Sequence, residues 1–155
     1  MNNASNKVLA ALHSLMSEIG AIGKTNTNSF QNYKFRSVAQ AMSALQPLLI
    51  KHNLIIQPFY DTIQLHEQEK GYTATCVLNL TFHHVEDGST LSYRIPGQGA
   101  DSGDKALGKA MAMAFKYAVF QGMAVPEDGV DSEFSEPEVK TKPKTAAPSM
   151  KNLLG

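Results

Sequence analysis

Apolar positions at the start of the chain recur at helical spacing: Val8, Leu9, Leu12, Leu15, Met16 and Ile19 fall on one side of a helix turning about 100° per residue. Gly20 to Gly23 ends that stripe. A polar, Asn-rich loop from Thr25 to Asn32 follows and leads into Tyr33-Lys34-Phe35-Arg36. Ser37 with Gln40 three residues later reads as a capping box, so a second helix is predicted from there. Ala41, Leu45, Leu48 and Leu49 form its expected buried stripe. Pro47 lies inside the run and predicts a kink or a helix in two pieces. Asn53 suits a left-handed stop.

The period then changes from that of a helix to that of a strand. Leu54 to Leu65 is rich in Ile, Phe, Tyr and Thr, and Pro58 points to an edge position or a bulge. Tyr72 to Phe82 alternates cleanly, with Tyr72, Ala74, Cys76, Leu78, Leu80 and Phe82 on one face. Asp87-Gly88 signals a hairpin turn into a third strand. Leu91, Tyr93 and Ile95 point one way on that strand, and Ser92 and Arg94 the other. Gly97-Gln98-Gly99 reads as a break. A last helix is predicted after it, with Asp101 as cap and Asp104 at the third helical position, running to about Gln121 and stopped by Gly122. The fold class is therefore α+β. A three-stranded antiparallel meander is packed by a C-terminal helix, making a β-β-β-α core preceded by two helices.

Composition refines this picture at the C-terminus. The chain has 155 residues, 43% of them apolar, enough for one domain with a real core. From Glu127 onward, Pro137, Pro143 and Pro148 punctuate Glu, Asp, Lys, Thr and Ala, with few large apolar residues. Such a segment buries too little to offset its ordering entropy, so the expectation is one folded domain at 1–126 and a disordered tail at 127–155. Met150, Leu153 and Leu154 return to apolar character, as either a short partner-binding peptide or a frayed end. Formal charge is balanced, 14 basic against 14 acidic groups, but unevenly. The tail holds six acids and four lysines, which leaves 10 basic and 8 acidic groups in residues 1–126, a net of +2.

Other classes are excluded more simply. No run of 18 apolar residues is present to span a membrane, and the polar N-terminus lacks a secretory signal. Cys76 stands alone, which rules out an internal disulfide or a cysteine zinc site. The expectation is a soluble protein of a reducing cytoplasm.

No catalytic constellation emerges. His13, His52, His66, His83 and His84 are scattered, and His83 and His84 face opposite ways on a strand. Asp101 and Asp104 could serve a metal-dependent nuclease, although helix capping accounts for both. Gly97, Gly99 and Gly103 before Lys105 lack the Gly-Lys-Ser/Thr ending of a phosphate loop, so no ATP site or other cofactor is expected. More telling are Lys105, Lys109 and Lys116, which fall within an arc of about 40° on the last helix. A row of ammonium groups at that pitch can follow a phosphate chain without touching bases; taken alone, a solvated face explains the stripe better. Tyr33-Lys34-Phe35-Arg36 alternates rings with cations, as binders of single strands do, or as an edge strand does with its rings buried. Arg94 on the polar sheet face is a third hint.

These blocks together resemble the essential recombination function (ERF) family of phage single-strand annealing proteins. The resemblance rests on Tyr33-Lys34-Phe35-Arg36-Ser37-Val38, on Leu48-Leu49 to His52-Asn53-Leu54, and on Gly99-Ala100-Asp101-Ser102-Gly103-Asp104-Lys105-Ala106. It continues through Lys109-Ala110 and Lys116-Tyr117 into Val125-Pro126 and acidic residues, covering roughly residues 5 to 131. It implies that the domain at 1–126 is a non-enzymatic, ATP-independent binder of single-stranded DNA. Such a protein assembles as a homo-oligomeric ring or filament and pairs complementary strands in recombination. The resemblance also implies a β-β-β-α core like that of eukaryotic annealing recombinases. On this reading Lys34, Arg36, Arg94, Lys105, Lys109 and Lys116 contact phosphates, while Tyr33, Phe35 and Tyr117 stack or pack. The acidic tail is a candidate competitor of DNA, a docking segment for a host or phage single-strand-binding protein or nuclease, or a solubilising tail with no partner.

Overall fold

The computed structural model describes residues 6–29 and 33–126. Its first helix, α1 (Lys7–Glu18), buries Val8, Ala11, Leu12 and Leu15. Asn6 makes no side-chain cap. The capping comes instead from the far hairpin: the Lys7 N–H donates to Asp87 Oδ2 at 3.1 Å and the Val8 N–H to Ser89 Oγ at 3.0 Å. These bonds satisfy donors that the helix start leaves orphaned, and they tie α1 to the sheet. The Lys7 ammonium pairs with Glu86 beside them.

The polar loop after α1 contains a strand that its composition does not signal. β1 (Asn26–Asn28) pairs antiparallel with β2 (Tyr33–Phe35), Asn26 opposite Phe35. Gln40 holds this small ribbon against the next helix. Its Nε2 donates to Gly23 O at 3.1 Å and to Thr25 Oγ1 at 2.6 Å, and its Oε1 accepts from Asn26 Nδ2. The same residue closes the predicted capping box of α2 (Val38–Lys51), where the Gln40 N–H meets Ser37 Oγ at 3.1 Å. Pro47 does not split α2, which is one continuous helix burying Ala41, Leu45 and Leu49. Pro47 is exposed, so its missing donor faces solvent rather than core. Asn53 ends the element at φ 54, in the left-handed region expected for it.

A three-stranded antiparallel sheet follows in the order β3-β4-β5, comprising β3 (Leu54–Gln68), β4 (Gly71–His84) and β5 (Thr90–Asp101). β4 is central and keeps the predicted alternation: Ala74, Cys76, Leu78, Leu80 and Phe82 are buried. Full burial of a side chain such as Phe82 stabilises by roughly 1.5–3 kcal/mol. β3 is an edge strand, which accommodates Pro58 opposite Leu80, and a bulge shifts its register between Asp61 and Gln64. The β4–β5 turn has Gly88 at φ 67, with its N–H on His84 O at 2.9 Å.

The end of β5 departs from the expectation. Gly97-Gln98-Gly99 is not a break; the strand runs through it to Asp101, with Gly97 opposite Cys76 and Gly99 opposite Ala74. Glycine is required there because α3 (Ala106–Gly122) lies almost on the strand. A Cβ on Gly97 would stand 2.2 Å from Ala110 O, and one on Gly99 2.5 Å from Ala110 N. The helix meets them with Ala106, Ala110, Ala114 and Ala118, all buried. Asp101 therefore ends a strand and does not cap α3. The N-cap position is Lys105, which makes no side-chain cap. Gly122 is the last helical residue rather than the stop, and Ala124 at φ 48 is the left-handed residue beyond it.

The core lies between the apolar sheet face and the three helices, with α3 over β4 and β5. Tyr60 and Tyr93 fasten α3 from both edge strands, their hydroxyls donating to Met111 O at 3.3 Å and Gly122 O at 2.9 Å. The second sheet face is uncovered by any described element. The expected boundary at 126/127 and the disorder of the tail concern residues outside the described ones.

Candidate nucleic-acid interface

α3 buries its alanine stripe, so its opposite flank carries the charge. Lys109 and Lys116 are seven residues apart, nearly two full turns, so they share a direction about 10.5 Å apart along the axis. Lys105 sits one turn earlier, joined by the Lys109 N–H to its carbonyl at 3.0 Å. Phe120 follows Lys116 by one more turn, on the same flank.

The β2–α2 junction packs against the C-terminal part of this flank. The Arg36 guanidinium lies 3.8 Å from the centroid of the Phe120 ring, and the Lys116 ammonium 5.6 Å from that of Phe35. Both distances fall within cation–π range. Phe35 thus packs beneath a cation rather than standing free as a stacking platform. Lys105, Lys109, Lys116 and Arg36 form one line along the helix, drawn from segments about 70 residues apart in sequence. Tyr117 is half-buried beside it. Of Tyr33 and Lys34 only the backbone, in β2, is described.

The two ends of the line differ electrically. At the N-terminal end, Lys109 Nζ contacts Asp101 Oδ2 at 2.6 Å and donates to Ala100 O at 3.0 Å. The lysine hydrogen bond, followed by the Gly103 N–H at 2.9 Å, holds the Asp101 carboxyl below the usual carboxylate range. Lys109 remains 54% exposed, so its charge is partly compensated but accessible. At the C-terminal end, burial and then the like charge of Arg36 push the Lys116 ammonium below its ordinary value. Two cations held together with one partly desolvated is an arrangement that an incoming phosphate stabilises.

Arg94 is not part of this line. It pairs across the sheet with Asn79, on the uncovered face, whereas α3 covers the face of Tyr93, Ile95 and Gly97. Its side chain is 66% exposed, and the guanidinium lies 3.8 Å from Asp61 Oδ1. Asp61 also accepts from Asn79 Nδ2 at 2.8 Å. Sequence reasoning underrated Phe120, an apolar helix residue whose role as the seat of Arg36 follows only from the packing of α2 on α3.

Among the described residues, no group of three or more His, Cys, Asp or Glu converges on a possible metal position, and no helix is long and apolar enough to cross a membrane. A nuclease centre at Asp101 and Asp104 finds no support in the geometry, because the Asp101 carboxylate is engaged by Lys109 and Gly103.

The structure defines a β-β-β-α domain whose last helix presents a cationic flank completed by the strand–helix junction before the sheet. The sequence profile of the ERF superfamily matches residues 8–153, and the chain belongs to that superfamily. Membership supports, in general terms, a recombination- or annealing-type role. A comparison with curated proteins finds no match.

Proposed function

We propose that the protein binds single-stranded DNA through its phosphates along the α3 flank and, as an oligomer, promotes ATP-independent annealing of complementary strands. The observation that carries this reading is the convergence of Lys105, Lys109, Lys116 and Arg36 on one side of α3. Cations spaced along a helix flank neutralise phosphate repulsion and leave Watson–Crick edges free, which annealing requires. Tyr33 and Lys34, immediately before Phe35, extend the line on sequence grounds. A body charge of +2 is small for tight binding by one protomer. Repetition of the flank around a ring or filament multiplies the contacts through avidity. No bond is broken, so the chemistry requires neither nucleotide nor metal.

Mixing the purified chain with complementary oligonucleotides, one of them labelled, tests the reading without ATP or magnesium. Annealing well above the spontaneous rate is expected, and it should fall strongly in the Lys105→Ala/Lys109→Ala variant when circular dichroism shows that variant folded. A native chain that leaves the spontaneous rate unchanged refutes the proposal.

A further inference from the structure

The chain is pinned as far as Pro126 and turns acidic at the next residue. The Val125 N–H donates to Phe120 O at 2.9 Å, and the Ile22 N–H to Pro126 O at 3.3 Å. This exit is thus bonded to the backbone of Phe120, the residue whose ring carries Arg36, and two residues from Ile22 stands Lys24. Residues 127–138 then contain six carboxylates (Glu127, Asp128, Asp131, Glu133, Glu136 and Glu138) and no lysine or arginine. An aromatic residue, Phe134, sits among them. Closely spaced anions with an interposed ring reproduce the features a phosphate-and-base chain offers to a cationic flank.

We propose that residues 127–138 dock on the Arg36–Lys116 end of the α3 flank and compete there with single-stranded DNA. This rests on the reading that the flank binds DNA phosphates. Reach is ample: twelve extended residues span about 40 Å, whereas the seventeen-residue α3 is about 25 Å long. Each exposed ion pair contributes little, but a tether starting at the site holds the acids at millimolar effective concentration. The competitor is therefore weak and always present. An isolated or short nucleic-acid segment has to displace it at each protomer. A long strand engaging many protomers displaces all copies together, so the segment selects for extended single strands.

The test uses the full chain. In one variant all six acids are replaced by their amides (Glu127→Gln, Asp128→Asn, Asp131→Asn, Glu133→Gln, Glu136→Gln, Glu138→Gln). In another, Phe134→Trp supplies a single fluorophore, since the chain has no tryptophan. The amide variant should bind a short oligothymidine roughly three- to tenfold more tightly at low salt, and the gap should close as screening grows. Indole emission from the Phe134→Trp chain should shift to the red when the oligonucleotide is added. In Phe134→Trp combined with Arg36→Gln and Lys116→Gln it should be red-shifted from the start. Equal affinities for native and amide chains, or an indole emission indifferent to DNA, overturn the docking while leaving the DNA reading intact. If neither chain binds the oligonucleotide at low salt, the DNA reading falls first.

Discussion

Replacing Arg36 and Lys116 together by Gln removes the two cations seated over Phe120 and Phe35 and leaves a shorter, uncharged polar side chain at each position. Each phosphate contact on single-stranded nucleic acid contributes about −0.7 to the slope of log K against log salt. Counting Lys105, Lys109, Lys116 and Arg36 alone, four cations per protomer predict a slope of about −2.8, so raising salt from about 50 to about 200 mM weakens native binding roughly fifty-fold. With two cations left the slope is about −1.4, and the same change costs only about sevenfold. Fluorescence polarisation of a labelled oligothymidine across a salt series measures both slopes, with thermal melts confirming that the variant is folded. The loss should be the same for oligothymidine and mixed-sequence strands, because phosphate contacts carry no sequence information. A double variant with the native slope, or one that loses affinity for some sequences only, refutes the assignment.

Three further outcomes are expected. Gly97→Ala should destabilise the fold by at least about 1–3 kcal/mol, seen as a lowered Tm, because the new methyl meets Ala110 O and the Ala114 methyl at 2.2 and 2.7 Å. Asp87 is held at about 2, against an ordinary 3.8, chiefly by Ser89 and also by the Lys7 N–H at the start of α1. A depressed carboxylate contributes stability that is present above its unfolded value and lost as the pH falls through the folded one. Acid unfolding of the native chain should therefore steepen between about pH 4 and pH 2, and Asp87→Asn should flatten it in that window. Asp101→Asn releases Lys109 from its carboxylate, so it should bind single strands at least as tightly as the native chain. Loss of a DNA-cleaving activity in that variant would instead favour the nuclease alternative.

Much of the fold is legible in local chemistry. The alternation from Tyr72 to Phe82, the Ser37–Gln40 box, the left-handed Asn53 and the Asp87-Gly88 turn depend on near neighbours, and each stands where its residues place it. The departures come from distant partners. Gly97 and Gly99 look like a break until α3 arrives against them, and only then is their missing Cβ a condition for packing. Asp101 has the chemistry of a cap but lies a few residues too early, where Lys109 reaches back to it. The strand Asn26–Asn28 has no strand propensity of its own and depends on β2 and on Gln40.

The candidate site divides in the same way. Spacing alone aligns Lys105, Lys109 and Lys116. The addition of Arg36 requires the contact of the β2–α2 junction with α3 through Phe120. The alternation of β5 already sets Arg94 on the side away from Tyr93, and the placement of α3 makes that the side remote from the lysines.

Amine-reactive footprinting read by mass spectrometry examines the cation line directly, with the oligonucleotide present or absent. Bound single-stranded DNA should protect Lys105, Lys109 and Lys116 while leaving Lys51, bonded to Glu18 across α1 and α2, and Lys70, in the β3–β4 turn, as reactive as before. Protection of Lys51 and Lys70 with the α3 lysines unchanged would contradict the account.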